Sequence, residues 1–257
     1  MKTIKRLLIV LTLGLALPGF AWAKPNRDVL FQFSTFDALF AGIYEGDLTL
    51  GELKKHGDIG IGTFNSMDGE MAMLDGKFYR IAADGIARLV PLNDKTPFAT
   101  VTFFEADKNG LIDEETDIAK LTQYLDSLIP SNNLFYAIRI DGQYSYVKTR
   151  SVPKQSRPYP SLVEITAHQP TFEFTDARGT LVGFRAPYFT KGVMFPGYHF
   201  HFLTDHRDRG GHVLECRVRK ATVAIDITPE FRLVLPGGGE FWQVDLPRSE
   251  GEPAAGK

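Results

Sequence analysis

Apolar side chains along this chain recur mostly at the strand period, with a few short stretches at the helical one. Val29 to Phe33 reads as a strand, and Phe36 to Tyr44 as a short helix entered through Ser34-Thr35. Thr49-Leu50-Gly51-Glu52 has the pattern of a capping box and predicts a second short helix ending near Gly57. Asp58 to Phe64 is again a strand. Glu70 to Ile81 carries Asp75-Gly76 between two β-rich runs, the strongest short-range hairpin signal. Thr96 to Phe104 reads as a further strand. Ile118, Leu121, Leu125 and Leu128 then recur at helical spacing, predicting one amphipathic helix that Pro130 stops.

The second half repeats the strand theme. Leu134 to Ile140 and Gln143 to Val152 predict a hairpin about Asp141-Gly142, and Ser161 to His168 a short helix. Strands are expected at Thr171–Phe174, Thr180–Arg185, Tyr198–Leu203, His212–Arg219, Thr222–Ile227 and Phe231–Leu235. Few helices and many hairpins make this an α+β chain dominated by mixed or antiparallel sheet. Pro153 to Pro160 holds three prolines in eight residues and marks the expected boundary between an N-terminal half, 24–152, and a C-terminal half, 153–246.

The two ends read differently from the body. Lys2, Lys5 and Arg6 precede an apolar run from Leu7 to Leu17, Pro18-Gly19 breaks it, and Ala21-Trp22-Ala23 is a small-x-small cleavage pattern. Residues 1–23 are therefore expected to be a cleaved secretory signal peptide, placing the mature chain in the periplasm or outside the cell; an uncleaved anchor is the alternative. The last residues, 247–257, read as a frayed tail. No other apolar run approaches the roughly 20 residues of a membrane helix, so no membrane association is expected once the leader is removed.

Charge and cysteine content narrow the function. The chain has 29 basic and 31 acidic residues, and loss of the leader takes away three basic ones, leaving no electrostatic footprint for nucleic acid. A single cysteine, Cys216, rules out an internal disulfide and any multi-cysteine zinc or iron–sulfur site. Cys216 fits a small buried hydrophobe on a strand.

The chemistry concentrates in one segment. Of six histidines, His199, His201, His206 and His212 fall within fourteen residues. Tyr198-His199-Phe200-His201-Phe202 alternates strictly, so His199 and His201 share one strand face about 6.5 Å apart. The polar stretch Thr204 to Gly211 suits a hairpin connection. If 201 pairs with 212 and 199 with 214, three imidazoles converge within reach of one ion, an open His₃ site that leaves positions free for substrate. The competing reading is a set of satisfied core histidines, which would need partners for every ring nitrogen. His206 reads as a solvated turn residue, and His56 and His168 as structural residues at helix ends. Glu70, where a polar turn meets a hairpin strand, is either a solvated loop acid or a carboxylate pointing into a cleft. Arg150, at a strand end on the same face as Tyr146 and Lys148 if alternation holds, is either a surface cation or a clamp for a substrate carboxylate.

Several segments together resemble the α-acetolactate decarboxylase family: His56-Gly57-Asp58-Ile59-Gly60-Ile61-Gly62-Thr63-Phe64-Asn65, Asp68-Gly69-Glu70, Lys95-Thr96-Pro97-Phe98-Ala99, Arg139-Ile140-Asp141-Gly142, Thr149-Arg150-Ser151-Val152-Pro153, Gly183-Phe184-Arg185-Ala186-Pro187 and Gly197-Tyr198-His199-Phe200-His201-Phe202. The resemblance implies a zinc enzyme converting 2-acetolactate, a small 2-hydroxy-3-oxo acid, to acetoin and CO₂. It implies two β-rich halves around the metal and frequently a homodimer. Its histidine ligands fall on His199, His201 and His212, its first catalytic glutamate on Glu70 and its carboxylate-binding arginine on Arg150. A second glutamate near the family's C-terminus has no aligned counterpart; either Glu250 or Glu252 reaches in from a shorter tail, with Glu252 taken for that role, or the role is vacant or filled by water.

The residue types suit such a reaction. Loss of CO₂ passes an electron pair to the neighbouring carbonyl, and zinc polarising the ketone and hydroxyl oxygens would stabilise it as a Lewis acid. Arg150 would fix which bond breaks, and Glu70 would assist protonation on one face. Two rivals remain at this stage. A cupin-like Fe(II) oxygenase would want a glutamate three or four residues after the second histidine, where Thr204 and Asp205 stand. A non-catalytic periplasmic metal-binding protein would want a closed site with no carboxylate clamp.

Overall fold

The structure, a computed structural model, describes residues 27–246; the leader at 1–23 and the tail bearing Glu250 and Glu252 lie outside the described residues. Strand β1 (Val29–Phe33) leads through Thr35, whose side chain accepts from the Ala38 N–H, into α1 (Phe36–Phe40). Strand β2 (Leu48–Thr49) leads into α2 (Leu50–Leu53), where Thr49 caps the Glu52 N–H. There follow β3 (Ile59–Thr63), β4 (Glu70–Leu74), β5 (Lys77–Ile81), β6 (Ala87–Leu89), β7 (Lys95–Thr96) and β8 (Ala99–Thr102). The short β9 (Lys108–Ile112) and β10 (Thr116–Asp117) precede α3 (Ile118–Leu128), capped by Asp117 and buried along Leu121 and Leu125. The long β11 (Phe135–Arg150) is separated by α4 (Leu162–Ala167) from β12 (Thr171–Ala186). Strands β13 (Gly197–Thr204), β14 (Gly210–Thr228) and β15 (Glu230–Val234) complete the order.

The strands form two main sheets. One has the order β15-β1-β8-β3-β4-β5-β6, antiparallel throughout except for the parallel β1–β15 pair. In the other, β11 pairs with β12 and β14, β12 with β13, and β13 again with β14, so these four strands close on themselves; β9 and β10 extend β14. Closure buries Tyr144, Val147, Leu181, Phe202, Val213 and Cys216 inside, with α3 packed alongside. A second cluster joins the sheets face to face, Leu30, Ile61, Ala72 and Ile81 from one meeting Ala137, Val182, Phe184 and Leu203 from the other. Burial of such side chains at about 25 cal/mol per Å² holds the two layers in one register.

The α+β class and the few short helices agree with the sequence reading, but three predicted breaks are absent. Asp141-Gly142 is not a turn: β11 runs unbroken through it, and β12 and β14 are likewise single strands where two were expected. Asp75-Gly76 does turn, with φ of 51° and 70°. At Gly142 the missing side chain serves close approach instead, since a Cβ there would lie 2.3 Å from the Lys220 carbonyl oxygen of β14. Residue 152 stands two residues beyond the end of β11, whereas the change of sheet comes between β8 and β9, and β15 returns to the first sheet. Cys216 is buried and free, its thiol pushed up to about 12 by burial.

Candidate active site

The site forms where the closed ring of strands meets the edge of β4. Side-chain alternation along β13 sends His199 and His201 to one face, and the β13–β14 ladder sets His201 opposite His212. That register is fixed by the connecting turn, in which the Thr204 N–H donates to the Arg209 carbonyl at 2.9 Å and the Arg207 N–H to the Thr204 carbonyl at 2.8 Å. The expected 199–214 pair is not made, because the ladder ends at His201 and His212. The three ring centroids nonetheless stand 4.7–5.4 Å apart. One nitrogen from each ring lies within 4.8 Å of the others, and His199 Nε2 is 3.0 Å from His212 Nδ1.

His201 shows most clearly what the cluster is built for. Its Nδ1 donates to the Met71 carbonyl of β4 at 2.7 Å, which fixes the tautomer and leaves a lone pair on Nε2. That Nε2 is buried without any hydrogen-bond partner. A buried acceptor left open beside two further imidazoles is costly unless something fills it, and a divalent cation would do so. Three neutral nitrogen ligands suit zinc, and iron, copper or nickel as well. The electrostatics agree: burial, aided by the Arg150 charge, pushes His199 and His212 well below the usual imidazole range and His201 down to about 3. All three therefore hold their lone pairs at neutral pH.

Glu70 opens β4, paired with Thr63 and Ile81 and 8% exposed. It is not a solvated loop acid. Its Oε2 lies 3.5 Å from His201 Nε2, and burial raises its carboxyl to about 7 against the lowering influence of Arg150. The preceding loop is held in left-handed backbone at Ser66 and Met67, φ 62° and 53°, by hydrogen bonds from the Ser66 hydroxyl to Glu45 at 2.9 Å and from Gln155 N to the Ser66 carbonyl at 2.7 Å.

Arg150 closes β11 beside His212, its ladder partner on β14, and the Thr149 hydroxyl ties this strand end to the Gly210 carbonyl at 3.0 Å. The register shift between Lys148 and Thr149 falls on β14, where Leu214 is the extra residue, and β11 keeps its own alternation to its end; there Arg150 lines the cleft, while Lys148 pairs with Glu173 at 3.7 Å. Gln169, from the turn after α4, receives the Arg150 guanidinium at 2.5 Å. The cleft holding these groups has a volume of about 560 Å³ and an apolar wall that includes Leu39, Met67, Phe98 and Phe195.

The other histidines stay apart from the cluster. His206 is exposed in the β13–β14 turn, His56 stacks on Phe31 at 3.9 Å, and His168 follows α4 as its C-cap. At the two positions where a cupin-like site would carry its glutamate, Thr204 donates to Asp208 and the exposed Asp205 pairs with Arg178. Sequence reasoning missed Gln169 and the Met71 carbonyl. The first is separated from Arg150 by the whole Pro-rich segment and α4, and a backbone carbonyl carries no residue signature.

Residues 30–248 match the family model described as alpha-acetolactate decarboxylase. The chain is 50% identical over 219 residues to the alpha-acetolactate decarboxylase of Methanosarcina mazei, covering 85% of this chain and 76% of that protein. With the Bacillus subtilis enzyme it shares 42% over 217 residues, covering 84% and 85%. The crystal structure of alpha-acetolactate decarboxylase from Bacillus subtilis strain 168 superposes with a TM-score of 0.84, covering 86% of this chain and 94% of that one.

Proposed function

The chain belongs to the alpha-acetolactate decarboxylase family, and from that premise we propose that it converts 2-acetolactate to acetoin and CO₂ in the histidine-lined cleft, with zinc held by His199, His201 and His212. The observation that carries the metal is the buried, partnerless Nε2 of His201, with the other two imidazoles beside it. When bound, zinc supplies a Lewis acid for the oxygens next to the breaking bond.

The chain's own residues do the rest. Arg150, at the cleft wall, pairs with the substrate carboxylate and fixes which carbon–carbon bond is cleaved. Glu70 lies beside the imidazole cluster on the β4 side and serves the proton that the product carbon must gain, on one face only. The apolar wall around Leu39, Met67 and Phe98 excludes water and receives the methyl groups. Glu252 would add a second acid from the tail, and the leader pattern alone supports an enzyme working outside the cytoplasm.

The test is release of acetoin and CO₂ from racemic 2-acetolactate by purified protein with its metal content measured, before and after chelation and after zinc is returned. Release that stops on chelation and resumes with zinc is expected. No release from metal-loaded protein would overturn the assignment, and undiminished release after verified metal removal would overturn the zinc role.

A further inference from the structure

Arg150 is held by a neutral partner. Its Nη1 donates to Gln169 Oε1 at 2.5 Å, and both side chains line the cleft. Other part-buried arginines are paired with acids: Arg80 with Asp68 and Asp94, Arg139 with Asp75 and Asp141, Arg185 with Asp126. Among the described residues, no carboxylate lies within ion-pair distance of Arg150. Gln169 is itself anchored, since the Ser151 N–H donates to the Pro170 carbonyl at 3.2 Å and Arg150 pairs with Thr171 in the β11–β12 ladder. The backbone on both sides of the contact is thus fixed.

We propose that Gln169 is a positioning residue that aims the Arg150 guanidinium at the substrate carboxylate while leaving its charge uncancelled. An amide oxygen occupies one of the five guanidinium N–H groups and locks the plane, and the remaining donors keep a full positive charge to offer. A carboxylate at 169 would hold the plane equally well, yet it would neutralise the cation before substrate arrived. The identity of the bound acid rests on the decarboxylase reading; the contact and its electrostatic logic do not.

The probe is 2-hydroxyisobutyrate, a 2-hydroxycarboxylate with no ketone to accept the electrons of decarboxylation, titrated calorimetrically into the zinc-loaded full chain. Gln169→Leu is expected to weaken binding about tenfold, the scale of one hydrogen bond to a charged group. Gln169→Glu is expected to weaken it at least as much, although it restores an acceptor, and Gln169→Asn to fall between Leu and wild type. Zinc content per chain stays unchanged in all three. On an Arg150→Ala background, Gln169→Leu is expected to have no further effect, the non-additivity that marks action through Arg150. Wild-type affinity in Gln169→Leu or in Gln169→Glu, the same loss on the Arg150→Ala background, or no carboxylate binding by wild type would each overturn the proposal. Absence of acetoin release with these binding results intact would remove the decarboxylase reading and leave the Gln169–Arg150 device standing.

Discussion

His212 is paired with His201 across one ladder and with Arg150 across the other, so a metal-ligand candidate and the proposed carboxylate clamp are neighbours on adjacent strands. This adjacency makes their roles separable by mutation. His212→Ala or His199→Ala is expected to lose metal and activity together, by more than the roughly 10–100-fold that follows loss of a ligand's hydrogen-bond partner. Arg150→Ala should keep stoichiometric metal and lose about 100-fold in kcat/KM, the scale of a charge-assisted pair. Metal analysis alongside steady-state kinetics decides it, and unchanged kcat/KM in Arg150→Ala removes the clamp.

Glu70, for which we propose proton handling, is buried and approaches His201 to 3.5 Å. Glu70→Gln is nearly isosteric and should leave metal content intact. The expected loss in kcat is about 10²–10⁴-fold, the usual worth of a positioned acid or base, with reduced enantiomeric excess in the acetoin formed. Chiral gas chromatography of the product is the measurement. A variant with wild-type rate and wild-type handedness ends the acid–base role.

The histidine cluster was legible in the sequence because its information is local: strand alternation sets His199 beside His201, and a polar turn returns the chain at His212. The helix entries at Thr35 and Thr49 were legible for the same reason. Failure came where one signal has two physical causes. Asp-Gly at 75–76 is a turn with both residues at positive φ, while the same dipeptide at 141–142 is a strand pressed against another. Local sequence does not tell the second use from the first, because the strand that requires it, β14, lies some 80 residues further on, pairing Gly142 with Ala221. The place of Arg150 beside His212 depends on the β11–β14 register, with Leu214 as the extra residue on β14, again a property of the paired strands and not of either alone.

The two Asp-Gly sites differ in what a methyl group would do. Gly76→Ala puts a side chain at φ 70° with its nearest neighbour 3.5 Å away at Lys54, so the cost is backbone strain of about 1–2 kcal/mol. Gly142→Ala drives a Cβ to within 2.3 Å of Lys220 O and 2.4 Å of the Ala221 Cβ, backbone and side chain that cannot yield without opening the β11–β14 ladder. Gly142→Ala is expected to be the more destabilising of the two by denaturant titration, by at least about 1 kcal/mol. The reverse order would contradict a continuous β11.

Asp226 gives the fold a pH dependence distant from the chemistry. It is 1% exposed on β14, and its Oδ2 accepts the Glu105 N–H at 3.2 Å. Burial raises its carboxyl to about 7, and the charges of Asp107, Asp28 and Glu105 push in the same direction. Because the folded state holds this proton more tightly than the unfolded chain, the group's contribution is fully present below the ordinary aspartate range near 3.8 and is lost as pH rises through about 7. Asp226→Asn keeps an oxygen for Glu105 N–H and cannot ionise. The variant is therefore expected to gain stability over wild type as pH increases from about 4 to 8, approaching a few kcal/mol at the alkaline end, with little difference at pH 4. Thermal melts of the two proteins across that range test it, and parallel profiles would show that Asp226 titrates in the folded protein as it does in the unfolded one.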